Sequence, residues 1–502
     1  MFTALTMPRD KWDEQNPDRV ALIQLIQKHE SEVPRLKELM NYYIARHHIL
    51  EDTDRQNTLV CNHAKDITDT AMSYFIGNPI SYKSQDNDLS VLMDDLTYAD
   101  ADETDGDNGL SLSIYGRAYE YIFTEEDEPS LKTKNLSPEN TFIVYDDSIE
   151  QRELFGVYYY VKKDDSNTSG EEHYIATVLS KNYKWVFDLW GDSKDQSSIL
   201  EKGEPHYLGE VPIVEYLNNK LGIGDYELQI PLIDAYNVLM SDRITDKEQF
   251  IDAILAVYGT MLSDEDADTE GDGAGAEKAM KKLRKSKLLE LPDTSKAEYI
   301  TRTFDESGVE ILKKALEQDI HKFSHIPCMT DEAFGGNVSG VAMEFKLLGM
   351  ENITRIKTRY YRKGLRKRLR IFCNFLSTSS RGSIDYKSVT AEFTRAMPKN
   401  LLEISQFVSN LSGVVSRKTL LSQIPFVDDP EEEMEAVRKE AEEDMQRQQA
   451  LMGMTANTPP EEEEEAHEPK GEQAPEGQGE NADGTNRPGI RLTRKKPSNE
   501  EE

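Results

Sequence analysis

The stretch Arg355-Ile356-Lys357-Thr358-Arg359-Tyr360-Tyr361-Arg362-Lys363-Gly364-Leu365-Arg366-Lys367-Arg368-Leu369-Arg370 holds nine Lys or Arg residues and no acid. It belongs to a chain of 502 residues with 94 Asp plus Glu against 59 Lys plus Arg, a formal net charge of −35. Acidity of that size keeps nucleic acid off most of a protein surface, so a concentrated basic segment implies a charged partner met at one chosen place. Ile356, Tyr360, Leu365 and Leu369 recur at roughly helical spacing within it, which predicts a helix with one side packed and the other charged. The charged side has a plain use, as a solvated face or in pairs with acids of neighbouring elements, and a sharper one, direct contact with a polyanion. In an oligomer of acidic subunits the paired acids would belong to the adjacent copy.

Outward from that segment the chain alternates helices with marked breaks. A helix is expected from about residue 340 to 376, up to roughly 55 Å long at 1.5 Å per residue, with Gly349 and Gly364 as kink points. The Gly-rich loop Phe334-Gly335-Gly336-Asn337-Val338-Ser339-Gly340 precedes it, with Ser339 placed as an N-cap. Before the loop, residues 304–327 read as a helix opened by the capping box Ser307-Gly308-Val309-Glu310 and ended by Pro327. An earlier helix over 231–257 starts with Pro231 in its first turn. Between the two lies a polar insert that is acidic and Gly-rich over 263–276, basic over 278–287 and strand-like at 288–291 and 299–300.

Towards the N-terminus, residues 17–50 and 58–76 carry helical apolar spacing, and Gly77-Asn78-Pro79 stops the second run. From about 110 to 219 the pattern turns to strands, with aromatic and β-branched runs at 119–123, 142–145, 155–161, 174–179, 185–190 and 213–217. Beyond the basic helix come a strand at 389–393, a capping box at Asn400-Leu401-Leu402-Glu403, and helices at 401–412, 417–423 and 430–451. The last has an apolar stripe, Met434, Val437, Ala441 and Met445, that needs a partner. Residues 455–502, with Pro459-Pro460 and five consecutive Glu, are expected to form a disordered tail. The class is α+β, predominantly helical, and the length allows two to four packed units.

Chemical motifs are sparse. Cys61, Cys328 and Cys373 are widely spaced and odd in number, which gives no disulfide framework or paired metal ligands and suits a reducing cytosol. The N-terminus lacks a secretory pattern, and no apolar run is long enough to span a membrane, so a soluble protein without a membrane partner is expected. The Gly-rich loop matches neither a phosphate-binding loop nor a GxSxG nucleophile elbow. Asp266, Asp268, Glu270, Gly271 and Glu277 fall at the spacing of an EF-hand calcium loop, although Glu270 and Gly273 depart from the preferred types. A solvated acidic loop is the alternative. His47, His48 and His63 near Glu51 and Asp52 do not have the spacing of a helical ligand pair. A metal-dependent nuclease remains a rival class, as does a calcium-regulated scaffold, but no compact carboxylate pair stands beside a Lys or His in a strand-turn setting.

The order of these parts, together with several local stretches, resembles the portal proteins of long-tailed double-stranded-DNA bacteriophages, in particular the Bacillus siphophage type. The stretches are Ser73-Tyr74-Phe75-Ile76-Gly77-Asn78-Pro79-Ile80, Val211-Pro212-Ile213-Val214-Glu215-Tyr216-Leu217-Asn218-Asn219, Leu232-Ile233-Asp234-Ala235-Tyr236-Asn237 with Ser241-Asp242, Asn337-Val338-Ser339-Gly340-Val341-Ala342, and Pro425-Phe426-Val427-Asp428-Asp429-Pro430-Glu431-Glu432-Glu433. The resemblance covers about residues 35–445.

It implies a portal fold in a ring of about twelve or thirteen copies, set at one capsid vertex of the virion after assembly in the bacterial cytoplasm. Residues 1–230 would be the mixed α/β wing region, 231–257 and 304–327 the stem helices, and 258–303 the clip. Residues 328–340 would be the tunnel loop, 341–399 the long basic wing helix and its strand, 400–454 the helical crown, and 455–502 the tail. Gly335, Gly336, Asn337, Val338 and Ser339 would lie nearest double-stranded DNA, while Lys278, Lys281, Lys282, Arg284 and Lys285 would serve docking at the clip. Arg355, Arg359, Arg362, Lys363, Arg366, Lys367 and Arg370 would meet an adjacent subunit or an anion. The implied partners are the terminase large subunit, then a head-completion adaptor, together with the major capsid and scaffolding proteins. The resemblance carries no catalytic residue and no cofactor.

Overall fold

The computed structural model describes residues 4–84, 87–125, 130–163, 172–190, 197–251, 254–258, 296–300, 306–329, 340–395, 401–424, 427 and 430–455. The chain divides into two compact units, Met1–Ser405 and Gln406–Glu502.

The first unit opens with β1 (Leu5–Met7), then α1 (Arg19–Glu30) and α2 (Val33–Tyr43). The single helical run expected over 17–50 is therefore two helices, because the chain turns at Ser31 and Pro34 restarts a helix in its first turn. Next come α3 (His63–Ile76), whose first turn is capped by the Asn62 side chain accepting from the Lys65 N–H, and β2 (Ser81–Lys83). α4 (Ser90–Tyr98) and α5 (Ala101–Tyr115) follow, in a stretch where no helix was expected. α5 closes on Gly116, whose φ of +81° only glycine adopts freely.

The β-rich region then supplies β3 (Arg117–Thr124), β4 (Leu131–Leu136), β5 (Thr141–Asp146), β6 (Glu153–Lys163), β7 (Glu172–Ser180), β8 (Tyr183–Leu189), β9 (Ser198–Pro205) and β10 (Ile213–Leu217). Every strand expected from aromatic and β-branched runs is present, and β4 and β9 are additional. A six-stranded sheet runs in the order β1-β5-β6-β7-β8-β9, antiparallel throughout except for the parallel β1–β5 pair. α1 covers it, with Leu22, Ile23, Leu25 and Ile26 packed against Phe142, Phe155, Val157 and Phe187. A smaller antiparallel sheet has the order β10-β3-β4.

α6 (Ile230–Ile251) and α7 (Glu306–Ser324) pack side by side. Arg243 bonds Glu310 at 2.9 Å and Lys247 meets Glu306 at 3.0 Å across the pair. The helix expected to reach residue 257 ends at Ile251 instead. β11 (Ile254–Tyr258) pairs antiparallel with β12 (Lys296–Ile300), Ile254 opposite Ile300. Ile-Leu-Ala-Val-Tyr suits either structure by apolar content, and the cross-strand ladder decides it. α7 stops at Ser324 rather than at Pro327, with His325 at a left-handed φ of 59°.

α8 (Gly340–Thr378) is a single uninterrupted helix of 39 residues, and β13 (Thr390–Glu392) pairs with β2. Gly364 serves close packing: a Cβ there would stand 2.4 Å from the Tyr216 ring. α9 (Leu401–Leu411) leads into the second unit, where α10 (Arg417–Leu421) is capped by Ser416 and α11 (Pro430–Thr455) follows. About half of the described residues are helical, and helix exceeds strand in this mixed fold. Among the described residues no helix is long and apolar enough to cross a membrane. The tunnel-loop residues 335–339, the clip cations, the EF-hand-like segment and the tail lie outside the described residues.

Candidate functional site

α8 is the element on which the first unit converges, and its two faces have opposite chemistry. The inward face carries Tyr361, Leu365, Leu369, Phe372 and Leu376 into a core shared with α3, α4, α5, β3 and β10. Three cations travel inward with them. Arg368 is fully buried; its Nε donates to Glu120 Oε1 at 2.8 Å, while Nη1 and Nη2 reach the Asp105 carboxylate at 2.8 and 2.6 Å. The Tyr361 hydroxyl donates to Asp105 and the Tyr216 hydroxyl to Glu120, both at 2.5 Å. Lys357 Nζ meets Asp225 Oδ2 at 2.7 Å, and Lys367 pairs with Glu153 and the Ile213 carbonyl.

One guanidinium thus serves two carboxylates in a site closed to water. Burial raises the Glu120 pKa, against the opposing pull of Arg368. Burial also works against the charge on Arg368, but the carboxylates of Asp105 and Glu120 outweigh it and hold the guanidinium well above its ordinary value. The bidentate geometry fixes the rotation of α8 about its own axis, since a quarter turn would leave two buried acids without a cation.

That rotation decides what faces solvent. Arg359, Arg362, Lys363 and Arg366 are exposed. Arg362 lies over the Phe393 ring at 5.6 Å; Arg359, Lys363 and Arg366 make no ion pair among the described residues. Arg355 is bound by Glu351 one turn earlier and Arg370 by Glu210 at 3.1 Å. Lys367, expected to meet an adjacent subunit or an anion, is instead buried against its own chain. Ile356, expected on the packed side, is 46% exposed and continues towards the N-terminus with Leu348 and Phe345 at 49% and 73%. The outward stripe is therefore apolar along its first turns and cationic along its later ones. A groove of about 380 Å³ runs beside it, lined by Tyr360, Lys363, Arg366 and Arg370 with Glu153 and Glu215 of the sheets.

The histidines considered as metal ligands have other partners. His47 bonds the Tyr42 carbonyl and the Asn237 side chain, His48 bonds Glu38, and His63 packs edge-on against Tyr236. Among the described residues no group of three or more His, Cys, Asp or Glu could hold a metal ion.

Sequence reasoning missed Asp105 and Glu120, which orient the whole helix. They are 263 and 248 residues away from Arg368 along the chain, and no local spacing links them. The outer side of α5 was missed as well: Asp102, Glu103 and Asp107 are exposed there, with Asp94 on α4 nearby in sequence.

Comparison with known proteins identifies relatives over most of the chain. The family model described as "Phage portal protein, SPP1 Gp6-like" matches residues 23–447. The portal protein of Bacillus phage SPP1 is 24% identical over 457 residues, covering 87% of this chain and 86% of the relative. The portal protein of Clostridium phage phiCD119 is 24% identical over 409 residues, covering 75% and 83%. A solved structure, the neck of an empty GTA particle computed with C6 symmetry, has 10% identity and a TM-score of 0.41 over 71% of this chain and 87% of that one. With a family model that spans β2 to β13, the α6–α7 pair, the long helix and most of α11, this chain belongs to the SPP1 Gp6-like phage portal protein family.

Proposed function

We propose that copies of this chain form the ring-shaped channel at one capsid vertex through which a phage genome is packaged, retained and ejected. The observation that carries this reading is the order α6, β11, insert, β12, α7, Gly-rich segment, α8: two packed helices bracket an insert entered and left by a pair of antiparallel strands, and the Gly-rich segment precedes a helix of 39 residues. In this arrangement α6 and α7 are the stem, the insert is the clip, and Gly335, Gly336, Asn337, Val338 and Ser339 approach the passing DNA. The insert's Lys278, Lys281, Lys282, Arg284 and Lys285 dock the terminase large subunit during packaging and a head-completion adaptor afterwards. The major capsid and scaffolding proteins surround the wing.

A net charge of −35 per copy supports passage rather than adhesion, because a channel of that sign repels the phosphate backbone and lets it slide. Negative-stain electron microscopy of the purified protein tests the proposal. Annular particles with a central opening are expected, together with normal rings but reduced DNA packaging when Gly335 and Gly336 carry bulky replacements. A compact monomer under all solution conditions, or Mg²⁺-dependent DNA cleavage by the isolated chain, would favour the nuclease class instead.

A further inference from the structure

The buried Arg368–Asp105 contact ties the inner face of α8 to the inner face of α5, and the outer faces of the two helices carry opposite charge. On α5, Glu103 and Asp107 stand two residues on either side of Asp105, each about 200° around the helix from it. Both are exposed. On α8, Arg366 is two residues and Arg359 nine residues from Arg368, both close to half a turn away around the axis. Lys363 lies between them, and all three are exposed. Since Asp105 and Arg368 point at one another, the acidic side of α5 and the basic side of α8 point away from each other.

We propose that the basic outer face of α8 in one copy, carrying Arg359, Lys363 and Arg366, docks on the acidic outer face of α5 in the next copy, carrying Glu103 and Asp107. Charge complementarity selects a second copy of this chain as the occupant. A twofold pairing of either face with itself would set like charges together, which is strongly unfavourable. Head-to-tail pairing joins unlike faces, and repetition of a head-to-tail contact generates a closed ring or an open filament rather than a dimer. The dimensions agree: Arg359 to Arg366 covers about 10 Å of helix and Glu103 to Asp107 about 6 Å, so two turns of cations face one turn or more of acids. Glu103, Asp107, Arg359, Lys363 and Arg366 form no ion pair among the described residues. The inference rests on the ring reading above and names the surfaces that build the ring.

Charge reversal tests it. One variant combines Arg359→Glu, Lys363→Glu and Arg366→Glu; a second combines Glu103→Lys and Asp107→Lys; a third carries all five substitutions. Mass photometry measures the protein concentration at half assembly, and circular dichroism checks that each variant is folded. Each partial reversal is expected to raise that concentration by at least about tenfold, and the five-fold variant to restore assembly. Unchanged assembly in the partial reversals, or a folded five-fold variant that stays unassembled, overturns the pairing while intact wild-type rings leave the portal reading standing. Absence of rings from wild-type protein sinks that reading and this interface with it.

Discussion

At the scale of single residues, Arg368 is the side chain whose loss has the clearest physical consequence. Its guanidinium is fully buried and is the cation between the Asp105 and Glu120 carboxylates. Truncating one member of a buried ionic cluster leaves the others desolvated and uncompensated, at a cost of about 3–5 kcal/mol. Arg368→Met is therefore expected to lower the urea unfolding free energy of the first unit by that amount. Arg368→Lys should recover less than half of the loss, because a point charge cannot reproduce the fork that serves two carboxylates. The pH dependence has a defined sign. Burial already raises the Glu120 pKa, and without Arg368 it rises further; an acid whose folded pKa exceeds its unfolded value favours the fold below the unfolded value and loses that contribution as pH climbs. The Met variant should thus be closer to wild type near pH 5 than at pH 8. A loss below about 1 kcal/mol, or one that grows on acidification, would show that the cluster does not hold the helix.

At the scale of elements, the seat of α8 on β10 depends on a missing side chain. Gly364 stands where a Cβ would come within 2.4 Å of Tyr216, and that ring is stacked on Tyr361 at 4.4 Å, with its hydroxyl held by Glu120. The ring cannot swing aside without breaking both contacts, so Gly364→Ala should displace the helix and cost about 1–3 kcal/mol, read from thermal unfolding. An unchanged or raised melting temperature, as helix propensity alone would give, would mean that the contact is loose. The same elements show what was legible in the sequence. α8 announced itself through an apolar period near 3.6, and β5, β6, β7 and β8 through their aromatic and β-branched runs, because those residues fill the cores. α5 did not: its inward side carries Asp105, Asn108, Ser111 and Ser113, polar groups that bond partners remote in sequence, and a hydrophobic pattern cannot register them. β9 escaped for the complementary reason, being an edge strand exposed almost throughout. The end of α6 was overrun because Ile254–Tyr258 is apolar enough for either structure, and only its partner 42 residues away in register makes it a strand. Within the basic segment, a buried Lys367 and an exposed Lys363 are identical letters, and distant carboxylates alone separate them.

At the scale of the whole molecule, the division after Ser405 separates a unit with its own cores from the chain that follows. Among the described residues, the clusters under the six-stranded sheet, between α5, β10 and α8, and around α3, α6 and α7 are built from residues up to Phe393. A chain ending at residue 400 keeps all of these core residues and is expected to unfold in one cooperative transition with the midpoint that the first unit shows in the full protein. Assembly should survive as well, since α5 and α8 both lie within the retained part. Contact between exposed charges is screened over about 8–10 Å at ordinary ionic strength, so rings of the shortened chain should weaken as salt is raised from about 0.05 to 0.5 M. Differential scanning calorimetry gives the first result and mass photometry across a salt series the second. A shortened chain that folds normally yet forms no ring at low salt would move the assembly contacts into residues 401–502, and with them the task of closing the channel.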